Sequence, residues 1–367
     1  MENNKKITAP NSLAATSVEQ SANKCNEIIS ENVRHNKENI NKMGQLETKS
    51  MEEIYDTMYA LKMPIIDNLL YSGVYLFVGA PKIGKSFAMA QIGYHVSAGK
   101  ELWGYPVKQG TVLYLALEDD EARIQSRLAK MFDMDTNANF HFATKADKIN
   151  MGLEQQILAF IQCHKDTRLV IIDTLQKVRE CTGATYSYAN DYDVVARLKQ
   201  IADENKICIL IVHHTRKMEA SDSFDTVSGT NGLLGAADGA FVMQKEKRTD
   251  NKATVDIVGR DIADQRLNME FDYDRCVWKL VKAEKELWKD VPDPFLVRIS
   301  KLVSSENSKW RGTATELLEI LGAEMNASIL VRKLNVNRVK MYSDYNIIYE
   351  NIRTHDEKII QFTLSKQ

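Results

Sequence analysis

One eight-residue run constrains the fold of this chain more than any other feature. Residues 79–86 read Gly-Ala-Pro-Lys-Ile-Gly-Lys-Ser, which fits the pattern G-x-x-x-x-G-K-[ST] at every fixed position. The apolar residues 74–78 before it predict a buried strand, and residues 87–98 after it predict a helix. A strand, a glycine-containing loop and a helix in this order form a phosphate-binding loop, or P-loop. The sequence therefore predicts a nucleoside triphosphate site.

Each part of the loop has an expected role. Glycine lets backbone N–H groups turn onto phosphate oxygens, and the dipole of the following helix adds partial positive charge there. Lys85 is expected to reach the β- and γ-phosphates of ATP, and the Ser86 hydroxyl is expected to bind Mg²⁺. The predicted nucleotide-binding residues are Gly79, Ala80, Pro81, Lys82, Ile83, Gly84, Lys85, Ser86 and Phe87.

Composition limits the class of protein. With 367 residues, 44% of them hydrophobic, the chain is long enough for one ATPase core and a smaller domain. A formal net charge of −2 provides no global attraction to nucleic acid, so any DNA site must be a local patch or loop. The five cysteines lack C-x-x-C spacing, and neither a secretory leader nor a run of about 18 apolar residues is present. We expect a cytoplasmic protein with reduced thiols and no membrane contact.

Strand and helix patterns alternate along the middle of the chain, which predicts an α/β fold with a mostly parallel central sheet. Residues 1–48 are polar and are predicted to be a disordered tail, residues 49–288 an ATPase domain and residues 292–367 a second domain. The predicted strands cover residues 74–78, 112–117, 169–172, 207–212 and 240–243, with edge strands at 253–258, 269–273 and 276–281.

The last segment predicts a small α+β domain of the winged-helix kind. Three stretches with helical spacing, at 295–303, 313–321 and 327–341, precede a hairpin pattern at 347–352 and 359–364. A winged helix presents its third helix to the DNA major groove. That helix could equally dock on protein, because its excess of positive charge is small. Its basic residues are Arg332, Lys333, Arg338 and Lys340.

Polar residues end three of the predicted strands. Asp173 follows residues 169–172, where a carboxylate can hold Mg²⁺ through its water shell. Glu118 follows residues 112–117 and could polarise the attacking water. Either carboxylate could instead cap the next helix. His213 and His214 follow residues 207–212, where one of them could hydrogen-bond the γ-phosphate.

Two other nucleotide-binding classes fit less well. Residues 144–147, Thr-Lys-Ala-Asp, resemble the guanine-reading T-K-x-D motif of GTPases. That motif should follow a D-x-x-G switch, whereas here Asp173-Thr174-Leu175-Gln176 comes later and lacks the glycine. No compact arginine-bearing lid of a small-molecule kinase is apparent in the sequence. An ATPase is the better interpretation.

With these motifs in this order, residues 55–283 resemble the RecA-like ATPases of the plasmid RepA helicase group. The resemblance implies a RecA-like core, assembly into a hexameric ring, and ATP-driven movement along single-stranded DNA. It implies roles for Glu118 as catalytic base, Asp173 as Mg²⁺ carboxylate, and His213 or His214 as γ-phosphate sensor. A replication initiator or a primase is a candidate further partner.

One motif of that group is absent. The group carries an Arg-Gly-Ser run whose arginine reaches into the neighbouring subunit's ATP, whereas residues 227–230 here read Val-Ser-Gly-Thr. Arg248 is our predicted replacement for this arginine finger, with Arg260 as a second candidate. An arginine at position 248 could equally be a solvated turn residue. The resemblance to RecA-like rings also implies DNA contact by two polar loops, residues 176–191 and 215–235.

The sequence supports three functional hypotheses. The first is a Mg²⁺-ATP-dependent, ring-forming replicative DNA helicase of a plasmid, phage or integrated element. The second is a recombination or repair ATPase that binds DNA without unwinding it. The third is a regulator whose winged helix reads DNA and whose nucleotide site acts as a switch.

Overall fold

The computed structural model describes residues 46, 48–59, 62–179, 188–214, 231–247, 249–285, 293–304, 307–353 and 358–365. The chain forms two compact units, one of residues 60–298 and the other of the segments on either side. This division differs from the predicted domains, because helix α1 (Met51–Asp56) belongs to the unit that contains the C-terminal segment. Nearly all of the predicted tail, residues 1–48, lies outside the described residues.

The larger unit is built on one nine-stranded sheet with the order β3-β2-β4-β5-β1-β6-β7-β8-β9. Strands β1 to β6 pair in parallel, and β7 to β9 continue the sheet as an antiparallel edge. The mostly parallel sheet predicted from the sequence is therefore confirmed. The strands are β1 (Gly73–Gly79), β2 (Thr111–Ala116), β3 (Phe140–Ala143), β4 (Thr167–Asp173), β5 (Cys208–His214), β6 (Gly239–Gln244), β7 (Lys252–Gly259), β8 (Gln265–Asp272) and β9 (Val277–Lys285).

Helices accompany the parallel strands. All seven residues of β1 are buried, as expected for a central strand covered on both faces. Alternate β1 residues belong to two apolar clusters: Tyr75 packs in the cluster that contains Met89, and Leu76 packs in the cluster that contains Val195. The helices are α2 (Lys85–Ala98), α3 (Glu121–Phe132), α4 (Leu153–Cys163), α5 (Leu175–Val178), α6 (Tyr188–Asn205) and α7 (Asn231–Ala236).

The register of the parallel strands brings their carboxyl ends together at one edge of the sheet. Gly79 at the end of β1 lies beside His214 of β5, and Ala116 of β2 lies beside Asp173 of β4. This carboxyl edge is where an open α/β sheet binds ligands. The amino ends of the same strands form the opposite edge.

The smaller unit contains a three-stranded antiparallel sheet of order β10-β12-β11. The predicted hairpin is present, but the predicted helix 327–341 is two helices that meet at Asn337. An additional strand, β10, lies outside the elements predicted from the sequence. The C-terminal elements are α8 (Pro294–Ser300), β10 (Lys309–Thr313), α9 (Ala314–Leu321), α10 (Ala327–Val336), α11 (Arg338–Tyr345), β11 (Ile347–Arg353) and β12 (Lys358–Leu364).

Within the described parts of the chain, no helix combines the length and apolar character needed to cross a membrane.

Candidate active site

The P-loop links β1 to α2, as its sequence pattern predicts. Gly84 caps α2 with a φ of 100°, a conformation that disfavours any residue with a Cβ. A Cβ at Gly84 would also lie 2.9 Å from Cζ2 of Trp278. A Cβ at Gly79 would lie 2.7 Å from the carbonyl oxygen of Met243. Both fixed glycines of the motif are therefore required by space or backbone conformation.

Lys85 lies against the backbone of the loop. Its ammonium donates to the carbonyl oxygens of Gly79 and Ala80 at 2.8 and 2.9 Å. Burial lowers the pKa of Lys85 to about 8, although the carboxylates of Asp173 and Glu118 oppose that shift. A desolvated cation in a glycine-containing loop is suited to pairing with a phosphate anion.

The structure distinguishes the two histidines. Nδ1 of His214 lies 3.0 Å from the Lys85 ammonium, and because an ammonium can only donate, this ring nitrogen is the acceptor. Burial and the neighbouring Lys85 lower the pKa of His214, which favours the neutral ring. Successive side chains of a strand point to opposite faces, so His213 is directed away from His214. The structure thus brings His214 to the loop lysine.

Asp173 and Ser86 meet at the carboxyl edge. Asp173 is only 5% exposed and accepts a hydrogen bond of 2.8 Å from the Tyr114 hydroxyl. Burial raises the pKa of Asp173, while hydrogen bonds from Ser86 and Tyr114 act in the opposite direction. The chain thereby holds a carboxylate and a hydroxyl together beside the P-loop.

This pair fits Mg²⁺. Among the described residues, no group of three or more His, Cys, Asp or Glu side chains could hold a metal ion by itself. Mg²⁺ is commonly bound by one or two carboxylates together with substrate phosphates and waters. The oxygens of Asp173 and Ser86 supply that kind of donor set.

The three acidic residues after β2 have three different environments. Glu118 is exposed and accepts a hydrogen bond of 3.3 Å from the Thr174 hydroxyl, next to Asp173. Asp119 pairs with Arg127 at 2.6 Å. Asp120 is the N-cap of α3 and accepts from the backbone N–H of Arg123 at 2.8 Å. The helix-capping alternative therefore applies to Asp120, which leaves Glu118 available at the carboxyl edge.

Trp278 contacts the P-loop, although it belongs to no sequence motif that could have predicted this contact. Its indole N–H donates to the Gly84 carbonyl at 3.1 Å, and the side chain is 1% exposed. The Gln91 side chain bonds both the N–H and the C=O of Trp278, which ties β9 to α2. The tryptophan lies 194 residues after the glycine in sequence, so only the folded sheet connects them.

The structure places one of the two candidate arginine fingers, Arg260, and does not describe the other, Arg248. Arg248 lies outside the described residues. Arg260 is placed at the amino edge of the sheet, where its backbone N–H bonds Asp238 and its guanidinium bonds the Gly235 carbonyl at 3.0 Å. It is therefore at the end of the sheet opposite the P-loop of its own chain. Much of the two predicted DNA loops, namely residues 180–187 and 215–230, is also outside the described residues.

The basic residues predicted to face DNA in the smaller unit are partly engaged within that unit. Arg332 on α10 pairs with Asp56 and Glu52 of α1, each at 2.6 Å. Arg338 donates to the carbonyl oxygens of Tyr59 and Tyr349. The acidic helix α1 therefore contacts α10, part of the helix predicted to face either DNA or protein.

Part of the larger unit is similar to known proteins. Residues 60–220 match a family model described as an AAA domain. The chain is 28% identical over 144 residues to the DNA repair protein RadA of Streptococcus pneumoniae (strain ATCC BAA-255 / R6), covering 39% of this chain and 30% of the relative. RadA of Streptococcus pyogenes serotype M1 shows the same identity over the same length, covering 28% of that relative. The chain thus spans less than a third of these relatives.

A solved structure of a DnaB-like replicative helicase, described with its interactions with primase, shares the fold. It matches with a TM-score of 0.50 at 14% identity, covering 71% of this chain and 75% of the other. The larger unit has the RecA-like P-loop NTPase fold. The matched segment 60–220 contains the P-loop, Glu118, Asp173 and His214.

Proposed function

We propose that this chain is a Mg²⁺-ATP-dependent DNA motor that assembles as a ring, and that it serves as the replicative helicase of a plasmid, phage or integrated element. The observation that carries the proposal is the convergence of Lys85, Glu118 and Asp173, with His214 beside the lysine, at one edge of a RecA-like sheet. Support for DNA as the partner comes from relatives named as DNA repair proteins and from the helicase that shares the fold.

The residues of the site divide the chemistry among them. Backbone N–H groups of the loop would orient the phosphates, and Lys85 would transfer its hydrogen bonds from the loop carbonyls to phosphate oxygens. Glu118, oriented by the Thr174 hydroxyl, would accept hydrogen bonds from the attacking water and align it with the γ-phosphorus. Mg²⁺, when bound through Ser86 and Asp173, supplies charge neutralisation of the phosphates.

His214 is proposed to sense the nucleotide through the loop lysine. Its Nδ1 accepts from Lys85, so any movement of that ammonium to a phosphate removes a donor from the ring. The histidine is the last residue of β5 and directly precedes residues 215–235, the predicted DNA loop. A change in the His214 hydrogen bond is therefore adjacent in the chain to the segment proposed to contact DNA.

In a ring of this kind, efficient ATP hydrolysis in one subunit would require an arginine from the next subunit. Arg248 is the proposed finger, since a finger in trans typically contributes on the order of 10³ or more to the hydrolysis rate. Mixing Glu118→Gln subunits with Arg248→Ala subunits should then restore part of the hydrolysis that each variant alone lacks, because a mixed interface can combine an intact Glu118 with an intact Arg248. A mixture no more active than the two variants measured separately would contradict shared sites.

The decisive functional assay is ATP-dependent separation of a forked DNA duplex. The proposal predicts strand separation that requires hydrolysable ATP and stops in the Arg248→Ala variant. A DNA repair ATPase is the second candidate, because the curated relatives carry that name. Hydrolysis stimulated by single-stranded DNA without strand separation would select this second candidate.

A further inference from the structure

The amino edge of the large sheet carries a basic cleft of about 520 Å³, which we call the amino-edge cleft. Ser72 directly precedes β1, Arg168 is the second residue of β4, and Lys206 lies two residues before β5. The cleft therefore opens at the end of the sheet opposite the P-loop. Its cations are Lys62, Lys108, Arg168, Lys199, Lys206 and Arg260.

Charge in this cleft is unbalanced. Its six cations face three carboxylates, Asp203, Asp238 and Asp261, which leaves an excess of three positive charges. Lys62 pairs with Asp261 at 3.0 Å, and Lys199 pairs with Asp238 at 2.6 Å and with Asp203 at 3.3 Å. All three carboxylates are thus already engaged. The whole chain has a net charge of −2, so the excess is a local feature.

Arg260 also lies 3.6 Å from Asp238, so three of the six cations remain: Lys108, Arg168 and Lys206. In the described part of the chain, none of these three side chains forms an ion pair. Nε of Arg168 is buried and has no hydrogen-bond partner among the same residues. Burial lowers the pKa of Lys108, and the nearby Arg168 lowers it further. Like charges held together beside an unsatisfied buried donor are unfavourable unless an anion compensates them.

The side-chain stem of Arg168 packs directly against Gly110. A Cβ at Gly110 would lie 2.0 Å from Cγ of Arg168 and 2.6 Å from the Asp166 carbonyl oxygen. Any residue other than glycine there would displace the arginine stem or the backbone at Asp166, just before β4. The stem of Arg168 is consequently fixed where β4 begins, and β4 lies between β2 and β5, the strands that follow Lys108 and Lys206.

We propose that the amino-edge cleft is a second anion site, distinct from the P-loop, that binds phosphate groups. Three uncompensated charges suit a multiply charged ligand better than a single carboxylate, and the guanidinium fork matches phosphate oxygens. The phosphates can come from two sources, a nucleic-acid strand that crosses the open cleft or a small polyphosphate. The site does not depend on ATP hydrolysis.

The test uses the full chain with the P-loop saturated by a non-hydrolysable ATP analogue. Binding of a fluorescent oligothymidylate and of inorganic pyrophosphate is measured for the intact protein and for the Lys108→Ala/Arg168→Ala variant. Oligonucleotide affinity should fall by about tenfold or more, and the slope of log K against log salt should decrease by about 1.4, from ~0.7 for each phosphate contact on a single strand. Lys252→Ala, an exposed cation without an ion pair among the described residues, is the matched control.

Each outcome has a defined meaning. Loss of oligonucleotide binding supports a nucleic-acid strand as the source, and loss of pyrophosphate binding alone supports a small polyphosphate. Recovery in the Lys108→Arg/Arg168→Lys variant would confirm that charge is the cause. If neither probe binds more weakly to the alanine variant than to the control, the proposal is wrong. Affinity for the ATP analogue, measured on the same samples, checks that the shared sheet is still folded.

Discussion

The two edges of the same parallel sheet differ in how their charges are arranged. At the carboxyl edge, Lys85 is close to Glu118, Asp173 and His214, and each of these groups has a hydrogen-bond partner. At the amino edge, Lys108 and Arg168 share the cleft without a carboxylate of their own. A catalytic site needs fixed, mutually supporting groups, whereas an anion site can leave its cations unbalanced until the ligand arrives. The comparison predicts that substitutions at the two edges have separable effects.

The largest effect is expected at the carboxyl edge. Glu118→Gln removes the proposed base but keeps the size of the side chain, so ATP hydrolysis should fall by about 10²–10⁴, the usual contribution of a general base. ATP binding should be retained. Asp120→Asn is the matched control, because asparagine also caps helices and the hydrolysis rate should not change. If both variants lost the same fraction of the ATP hydrolysis rate, Glu118 would not be the catalytic base.

The next effect concerns the support of the P-loop. Trp278→Ala removes a buried aromatic side chain and its hydrogen bond to Gly84, which should lower the free energy of unfolding by about 3–5 kcal/mol. Urea denaturation measures this loss. ATP affinity at the remaining folded protein should also weaken, because the indole contacts the helix-capping glycine. Unchanged ATP affinity would show that the loop is fixed without the tryptophan.

The pKa of Lys85 predicts a pH dependence that only the carboxyl edge should show. In the free protein this pKa is lowered to about 8, and a bound phosphate would raise it again. Lys85 is charged below pH 8, so ATP affinity should be level there and fall as the pH rises above 8, by up to about tenfold per pH unit. Calorimetric titration at several pH values measures this change. Lys85→Arg, which stays charged, should give a flat profile over the same range.

The smallest effect is expected in the second unit. Arg332→Ala removes the ion pairs of α10 with Asp56 and Glu52, so hydrogen exchange should become faster within residues 51–59. Global stability should change little, because exposed ion pairs contribute little. Arg311→Ala, which changes an exposed arginine of the same unit, is the control. If Arg332→Ala altered oligonucleotide affinity more than the amino-edge variant does, the two-edge comparison would omit a major anion site.

Sequence reasoning reached the carboxyl edge because its signals are local. A contiguous P-loop and acidic residues that end apolar runs are visible without a structure, and parallel strands necessarily gather their ends. The choice between His213 and His214 required the strand register. The half-buried four-residue strand Phe140–Ala143 was too short for a periodicity argument. Trp278 and the amino-edge cleft could not be predicted, because their contacts join segments far apart in the chain.

The start of the core also required the structure. Residues 51–70 have helical spacing in sequence, yet among those of them that the structure describes (51–59 and 62–70) only Met51–Asp56 is helical, and it groups with the C-terminal segment. A capping box at Ser50 and Glu53 accounts for where this helix begins. Its partner could not be inferred, since the contacts of Arg332 with α1 span about 280 residues.

The most direct test of the central claim is the steady-state rate of Mg²⁺-ATP hydrolysis by the intact chain, measured with and without single-stranded DNA and beside the Lys85→Ala variant. The account predicts hydrolysis that single-stranded DNA accelerates and that disappears in the variant. Hydrolysis that is indifferent to DNA, or that persists at the same rate without Lys85, would contradict it.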